Sequence, residues 1–259
     1  MKLLTYNISF DADDFNMRIK AIIDIILNKD PDIVALQEVT PASFNILMSS
    51  PLSSIYNFNK NMFIVVYGCL ILSKHIIIEN KSIRFPNTLM GRSLDYITVK
   101  YNNEKYLFAN IHLESEFARI SKKKILNDEE IVMHMVSQIP HKIDQFQFMF
   151  KQLEKYSDYK IIIMGDTNIT ELENPLFKLP KGYMDIFTSL TVPSIISNTI
   201  QYTYDYTKNN RIKGKFRSRL DRVYTNIENH EHLIDTYELV GCEYVYGKCP
   251  SDHFGVMVK

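Results

Sequence analysis

The sequence predicts an α/β protein of layered sheets with helices packed against them. Three observations carry that prediction. Short continuous apolar runs, Ile33-Val34-Ala35-Leu36 and Ile161-Ile162-Ile163-Met164, have the length and β-branched content of buried strands. Stretches of helical periodicity alternate with them, and the strand-like runs end in a carboxylate, an amide or an imidazole. The 259 residues, 46% apolar, suffice for a large core. No internal repeat, low-complexity linker or shift in composition divides them, so one domain spanning 1–259 is expected.

Lys2 to Ile8 alternates as a strand and delivers Asn7 near its end. Asp13 or Asp14 can cap a helix whose apolar positions Phe15, Ile19, Ile22, Ile23, Ile26 and Leu27 share one face, and Pro31 closes it. The Ile33 to Leu36 strand then ends in Gln37-Glu38. Tyr56 to Ile78 holds two or three strands, with Gly68 and Ser73-Lys74 as turn material. Leu94 to Val99 and Tyr106 to Ile111 form a hairpin around Asn102-Asn103. The second of these strands ends in His112-Leu113-Glu114-Ser115.

Lys122 to Tyr156 is helical, with Pro140 interrupting or restarting the helix. Lys160 to Met164 is the next strand, running into Gly165-Asp166-Thr167-Asn168. Thr170 to Thr199 reads as loop with short helical turns. Tyr202 to Arg222 interleaves lysines and arginines with Tyr202, Tyr204, Tyr206 and Phe216, and passes into a strand from Leu220 to Thr225. Strands at Tyr237 to Val240 and Gly255 to Val258 bracket Ser251-Asp252-His253.

Bulk composition excludes more than it selects. Thirty basic residues balance thirty acidic ones, so net charge points to no polyanionic partner and only local patches can. Cys69, Cys242 and Cys249 lack metal-ligand spacing and read as reduced thiols. No apolar h-region opens the chain, and Met62 to Leu72, the longest apolar run, is far short of the roughly 20 residues of a membrane span. A soluble intracellular protein of the nucleus or cytoplasm is expected, with no membrane partner.

Taken singly, each strand-end group has a structural role open to it: Asn7 in a turn, Glu38 in a solvated loop, His112 half-buried and satisfied, Asp252 capping its turn. Together they form a set of carboxylates (Glu38, Asp166, Asp221, Asp252), amides (Asn7, Asn168) and imidazoles (His112, His253). Oxygen-dominated donors suit a hard ion, Mg²⁺ or Mn²⁺, and metal-assisted phosphoryl transfer to water.

Thr5-Tyr6-Asn7, Leu36-Gln37-Glu38, His112-Leu113-Glu114, Gly165-Asp166-Thr167-Asn168, Arg219-Leu220-Asp221-Arg222 and Ser251-Asp252-His253, in that order, resemble the motif series of the endonuclease/exonuclease/phosphatase superfamily. Within it, Phe85-Pro86-Asn87-Thr88 with Met90-Gly91-Arg92, the serine at Ser115, and Tyr202-Thr203-Tyr204-Asp205 look like the tyrosyl-DNA phosphodiesterase 2 group. The resemblance implies a DNase I-like four-layer sandwich of two mixed sheets flanked by helices. It also implies hydrolysis of the bond between a protein tyrosine, as in a topoisomerase 2 adduct, and a DNA 5′ phosphate, in DNA repair. An abasic-site endonuclease, another nuclease or phosphatase of the superfamily, and a catalytically silent nucleic-acid-binding module are the alternatives.

Two departures fall where DNA is expected to be held: Tyr204 replaces the group's tryptophan, and Thr170 stands where an arginine is usual. With the first strand starting at once, the ubiquitin-binding segment of some relatives is expected to be absent.

Glu38 is expected to bind the metal directly, and Asp252 to act in its outer shell. Asn7 contacts the metal shell or the phosphate. Asp166 accepts a proton from the attacking water, and Asn168 orients that water or the phosphate. Asp221 bonds His253 and favours its charged form, which stabilises the phosphate oxygens in the transition state. His112 and Ser115 grip the phosphate from the other side, while Arg92, Tyr204, Arg217 and Arg219 contact the substrate. The expected partners are DNA 5′ ends with tyrosine-linked protein, on single-stranded overhangs, and tyrosine-linked RNA. A monomer is expected.

Overall fold

The computed structural model describes residues 1–59, 66–116, 128–190, 201–227, 236–245 and 247–259. Two six-stranded mixed sheets pack face to face. The first runs in the order β13 (Tyr237–Val240), β14 (Gly255–Val258), β1 (Leu3–Asn7), β2 (Ile33–Val39), β4 (Gly68–Ser73), β3 (Asn57–Phe58). The second runs β5 (Glu79–Arg84), β6 (Ser93–Tyr101), β7 (Glu104–His112), β8 (Lys160–Asp166), β12 (Asp221–Thr225), β9 (Met184–Asp185). Helices α1 (Phe15–Lys29) and α2 (Pro41–Met48) cover the first sheet, with the short α3 (Leu52–Ile55) beside them. Helix α4 (Asp128–Leu153) covers the second; α5 (Ile186–Leu190) follows β9, and β10 (Tyr204–Asp205) pairs with β11 (Arg217–Ser218) as a separate ribbon. The expected four layers are present.

The two-residue period of each strand explains the layering. In β1, Leu4 and Tyr6 face α1 and α2, while Leu3 faces the other sheet. In β8, Ile161 and Ile163 face α4, while Ile162 and Met164 face the first sheet. Continuing those inner rows brings Asn7 and Asp166 to the same inter-sheet end.

That end is special for a topological reason. β1 with β2, and β7 with β8, are the parallel pairs, so all four finish there. β12 and β14 run antiparallel to β8 and β1 and therefore start there. Gly165 is needed for the close pairing of β7 and β8: a Cβ on it would lie 1.9 Å from the Ile111 carbonyl oxygen.

Several expectations change. Asp14 stands at the N-cap of α1 but in a left-handed conformation (φ 55°) with no side-chain cap bond. Its carboxylate instead meets Lys248 and Arg211. β2 does not stop at Leu36; it runs to Val39 through a bulge. Gly68 opens β4 rather than marking a turn. Helix α4 runs through Pro140, because Phe146, Met149, Phe150 and Leu153 bury beyond it on the second sheet and hold that half in register. The Asn102-Asn103 hairpin is as expected, both residues taking positive φ (50° and 64°). Part of the expected strand run at 60–65, the Lys122-Lys123-Lys124 helix start and the loop from 191 to 199 lie outside the described residues.

Candidate active site

Asp166 sits at the centre of the strand ends, 1% exposed. Its Oδ2 accepts from Asn7 Nδ2 at 2.9 Å and lies 3.3 Å from His112 Nε2 and 3.7 Å from His253 Nε2. Its Oδ1 accepts the Asn168 backbone N–H at 2.9 Å, an arrangement that the left-handed turn at Asn168 (φ 50°) allows. Burial works to raise the Asp166 carboxyl, but His253, His112 and the Asn7 amide together outweigh it and hold it well below the usual carboxylate range.

The two imidazoles differ in charge. His253 Nδ1 meets Asp221 Oδ2 at 2.8 Å; burial opposes its charge, yet Asp221 and Asp166 lift its pKa well above the ordinary value. His112 is pushed down to about 4, first by burial and then by the Arg92 guanidinium, against the pull of Asp166. Arg92 Nη1 lies 2.6 Å from His112 Nδ1. A guanidinium only donates, so Nδ1 accepts and the neutral ring carries its proton on Nε2, facing Asp166. One site thus holds a cationic imidazole and a neutral one.

Asp221 is fixed from behind. Thr203 Oγ1 accepts the backbone N–H groups of Leu220 and Asp221, both at 3.0 Å, while Asp221 Oδ1 is buried without a hydrogen-bond partner. Asp166, Asp221 and His253 offer ligand atoms all within 4.8 Å of one another, a group able to hold a metal ion. Glu38 occupies the bulge of β2 with φ 59°, and the bulge turns it out of the strand's alternation. Its Oε2 accepts the Phe10 N–H at 3.0 Å. Burial first, and Asp252 second, push its carboxyl up to about 7. Two carboxylates whose charges bear on one another, with no basic side chain among the described residues shown bonded to either, are a donor set suited to a hard divalent cation.

The remaining expected residues divide. Ser115 is buried just beyond His112. Asn168 is close to Asp166, but its side-chain Nδ2 donates to the Leu113 carbonyl at 3.1 Å and so braces the β7 end. Tyr204 meets His253 edge-on, with ring centroids 5.2 Å apart. Arg217 is exposed, and its guanidinium lies 4.9 Å over the Tyr202 ring. Arg219 is 4% exposed and bidentate to Asp185 at 3.1 and 2.8 Å, with its guanidinium over Phe187. Burial makes a carboxylate the partner of this arginine, which leaves fewer of its five donors for a substrate.

Sequence reasoning missed other residues. Phe10, half exposed, stacks on Tyr67 (4.9 Å, 21°), and Arg92 packs against the same Tyr67 ring at 5.2 Å. Lys142 of α4, fully buried, donates to the Asn168 carbonyl at 2.8 Å and to Glu173 at 2.6 Å. Its position on the buried face with Gln145, Phe146 and Met149 was a legible signal, since a lysine on an apolar stripe needs a buried partner. Thr203 lay inside a quoted motif without a role. Gln37 of β2 donates to Asn110 of β7 at 2.7 Å, tying the two sheets beneath the site.

A family model described as the Endonuclease/Exonuclease/phosphatase family matches residues 4–253. The chain belongs to that family. Among curated relatives of this family member are tyrosyl-DNA phosphodiesterase 2 of Gallus gallus, 28% identical over 99% of the chain, and that of Mus musculus, 27% identical over 99%. The chain spans 66% and 65% of those two relatives' lengths, respectively. Among solved structures, D. rerio TDP2 complexed with single strand DNA product superposes with a TM-score of 0.82 at 23% identity, covering 100% of this chain and 97% of that one. A truncated Caenorhabditis elegans TDP2 gives 0.78 at 23%, covering 99% and 95%. At that identity the structural likeness establishes the shared fold.

Asn7, His112, Asp166, Asp221, Ser251 and His253, separated by up to 246 positions in the chain, meet at one end of the sandwich. Among the described residues, no helix is long and apolar enough to cross a membrane.

Proposed function

We propose that the chain is a metal-dependent phosphodiesterase that hydrolyses the bond between a protein tyrosine and a DNA 5′ phosphate, leaving a 5′ phosphate, in repair of protein-linked DNA ends. The observation that carries the reading is the pairing, on one carboxylate, of a cationic and a neutral imidazole: Asp166 between His253 and His112. A phosphodiester brings negative charge that competes with Asp166 for both rings. Substrate binding therefore draws His253 and His112 toward the phosphate and frees Asp166 from the pull that suppresses its basicity, so that it can take the proton of the attacking water. Asn7 keeps the carboxylate aimed, and the charged His253, backed by Asp221, stabilises the phosphate oxygens as their charge grows.

Glu38 and Asp252, whose charges bear on one another, would hold Mg²⁺ or Mn²⁺. Such an ion supplies Lewis-acid stabilisation of the phosphate and of the leaving oxygen. A phenol, with a pKa near 10, is a leaving group that needs no dedicated general acid. The names of the curated relatives support a tyrosine-linked DNA substrate, and the single strand DNA product bound to the D. rerio TDP2 structure, with the basic, aromatic ribbon at Arg217, Tyr202 and Tyr204, supports a single-stranded end as the bound strand; tyrosine-linked RNA is proposed as a further substrate. A monomer acting in the nucleus or cytoplasm completes the reading.

The test is purified protein with Mg²⁺ on an oligonucleotide bearing a 5′-phosphotyrosine, beside an abasic-site duplex and a soluble phosphoinositide. The tyrosyl oligonucleotide is expected to have the highest kcat/KM. Preference for either comparator overturns the reading.

A further inference from the structure

Glu114 belongs to the His112-Leu113-Glu114 motif, yet the chemistry above leaves it without a task. It is 0% exposed, and both of its oxygens are engaged. Oε2 accepts from Thr88 Oγ1 at 2.9 Å, from the Leu89 N–H at 3.2 Å and from Gln145 Nε2 at 2.8 Å, while Oε1 accepts the Met90 N–H at 2.7 Å. Its own N–H donates to Gln145 Oε1 at 2.8 Å, which anchors it to α4. Three of the four donors to the carboxylate come from residues 88–90, the segment between β5 and Arg92.

That segment has an irregular backbone. Asn87 (φ 60°) and Gly91 (φ 76°) both turn through the left-handed region at its two ends. The bonds to Glu114 replace the strand pairing the segment lacks, and they reach Arg92 in one further step: Thr88 Oγ1, while donating to Glu114, accepts the Arg92 N–H at 2.8 Å. Arg92 then places Nη1 2.6 Å from His112 Nδ1, two residues before Glu114 on the other side of the loop. His112, Glu114 and Arg92 form a closed, buried circuit beside Asp166.

We propose that Glu114 is a positioning residue that acts through Arg92: its carboxylate sets the 88–92 loop so that the guanidinium meets His112 and the substrate. The inference rests on the reading of Arg92 as a substrate contact. A carboxylate is required because four donors converge on it and it alone offers two oxygens and no competing hydrogen. Glutamine keeps the size but turns a donor toward a donor, and the loop must shift. A displacement of about 1 Å at a contact of this kind costs up to about 10²-fold in rate.

The test is a double-mutant cycle on the 5′-phosphotyrosyl oligonucleotide, with thermal midpoints measured in parallel. Glu114→Gln is expected to lower kcat/KM by about 10- to 10²-fold. In an Arg92→Ala background the same substitution is expected to cost nothing further, because the group through which it acts is gone. Thr88→Val, which removes only the bridging hydroxyl, is expected to give a smaller loss that also vanishes in Arg92→Ala. It carries the test if Glu114→Gln does not fold.

Equal losses with and without Arg92 overturn the inference, as does a fully active Glu114→Gln or Thr88→Val. A fully active Arg92→Ala overturns the assignment of Arg92 and this inference with it. A wild type without turnover on the tyrosyl oligonucleotide overturns the proposed function, and both fall together.

Discussion

The strand-end site and the basic ribbon are built in opposite ways. The site's groups, Asn7, His112, Asp166 and Asp221, are the last or first residues of long paired strands, buried and held by backbone register. The ribbon of β10 and β11 pairs only two residues on each side, and its exposed Arg217 is placed by stacking on Tyr202. Register over a whole sheet fixes a side chain to a fraction of an ångström, which bond-making chemistry needs. A stacked surface residue is adjustable, which suits a polymer of varying sequence. Damage to the first region should therefore appear in kcat, and damage to the second in KM.

The largest expected effect is that of Asp166→Asn, which leaves the strand intact and removes the proton acceptor. We expect kcat to fall by about 10³-fold, within the usual range for a lost general base. Single-turnover rates at saturating substrate measure it, and near-wild-type turnover would remove Asp166 from the role.

Next comes a contrast between two buried carboxylates. Asp166 is kept ionised by imidazoles, whereas Asp95, buried on the inner face of β6, has only the hydroxyls of Ser82 and Ser93, and burial pushes it up to about 6. Because the folded pKa of Asp95 lies above its unfolded value, the folded state holds that proton more tightly. Its contribution to stability therefore declines as pH rises from about 4 to about 6 and is level above that. Asp95→Asn should be relatively more stable at pH 7 than at pH 4, by up to about 3 kcal/mol. Urea unfolding of variant and wild type at several pH values gives the difference, and a flat difference contradicts the burial argument.

Smaller effects belong to the ribbon. Tyr204→Ala should raise KM for the tyrosyl oligonucleotide by about 10-fold, a loss within the roughly 1–3 kcal/mol of a base stack, with a secondary change in kcat from its edge contact with His253. Arg217→Ala should raise KM about threefold, leave kcat alone and flatten the salt dependence of binding. If Arg217→Ala instead lowers kcat at unchanged KM, the division between the two regions fails.

Much of the fold was legible because burial writes a period into the sequence. Ile161 to Met164 and Ile33 to Leu36 could be recognised as central strands, and Asn102-Asn103 as a hairpin turn, from local residue types alone. Pro140 and Asp14 misled for a common reason. The local rules for proline and caps describe an isolated helix, and here packing on the sheet and the pull of Lys248 and Arg211 override them.

The partner of Arg219 was not legible either. In the sequence it is one more cation in a basic run, and only the tertiary structure brings Asp185 from a neighbouring strand against it.

What the sequence by itself determined is the inventory: which polar groups end which strands, and so which donors, acids and imidazoles are available. Those follow from near neighbours along the chain. Only the tertiary structure decided their states. The lowered Asp166, the neutral His112 beside Arg92, the charged His253 on Asp221 and the Glu114 circuit depend on groups up to 159 residues apart that share a low-dielectric space. Proton affinity is set by what is close in space, and closeness in space is what folding supplies.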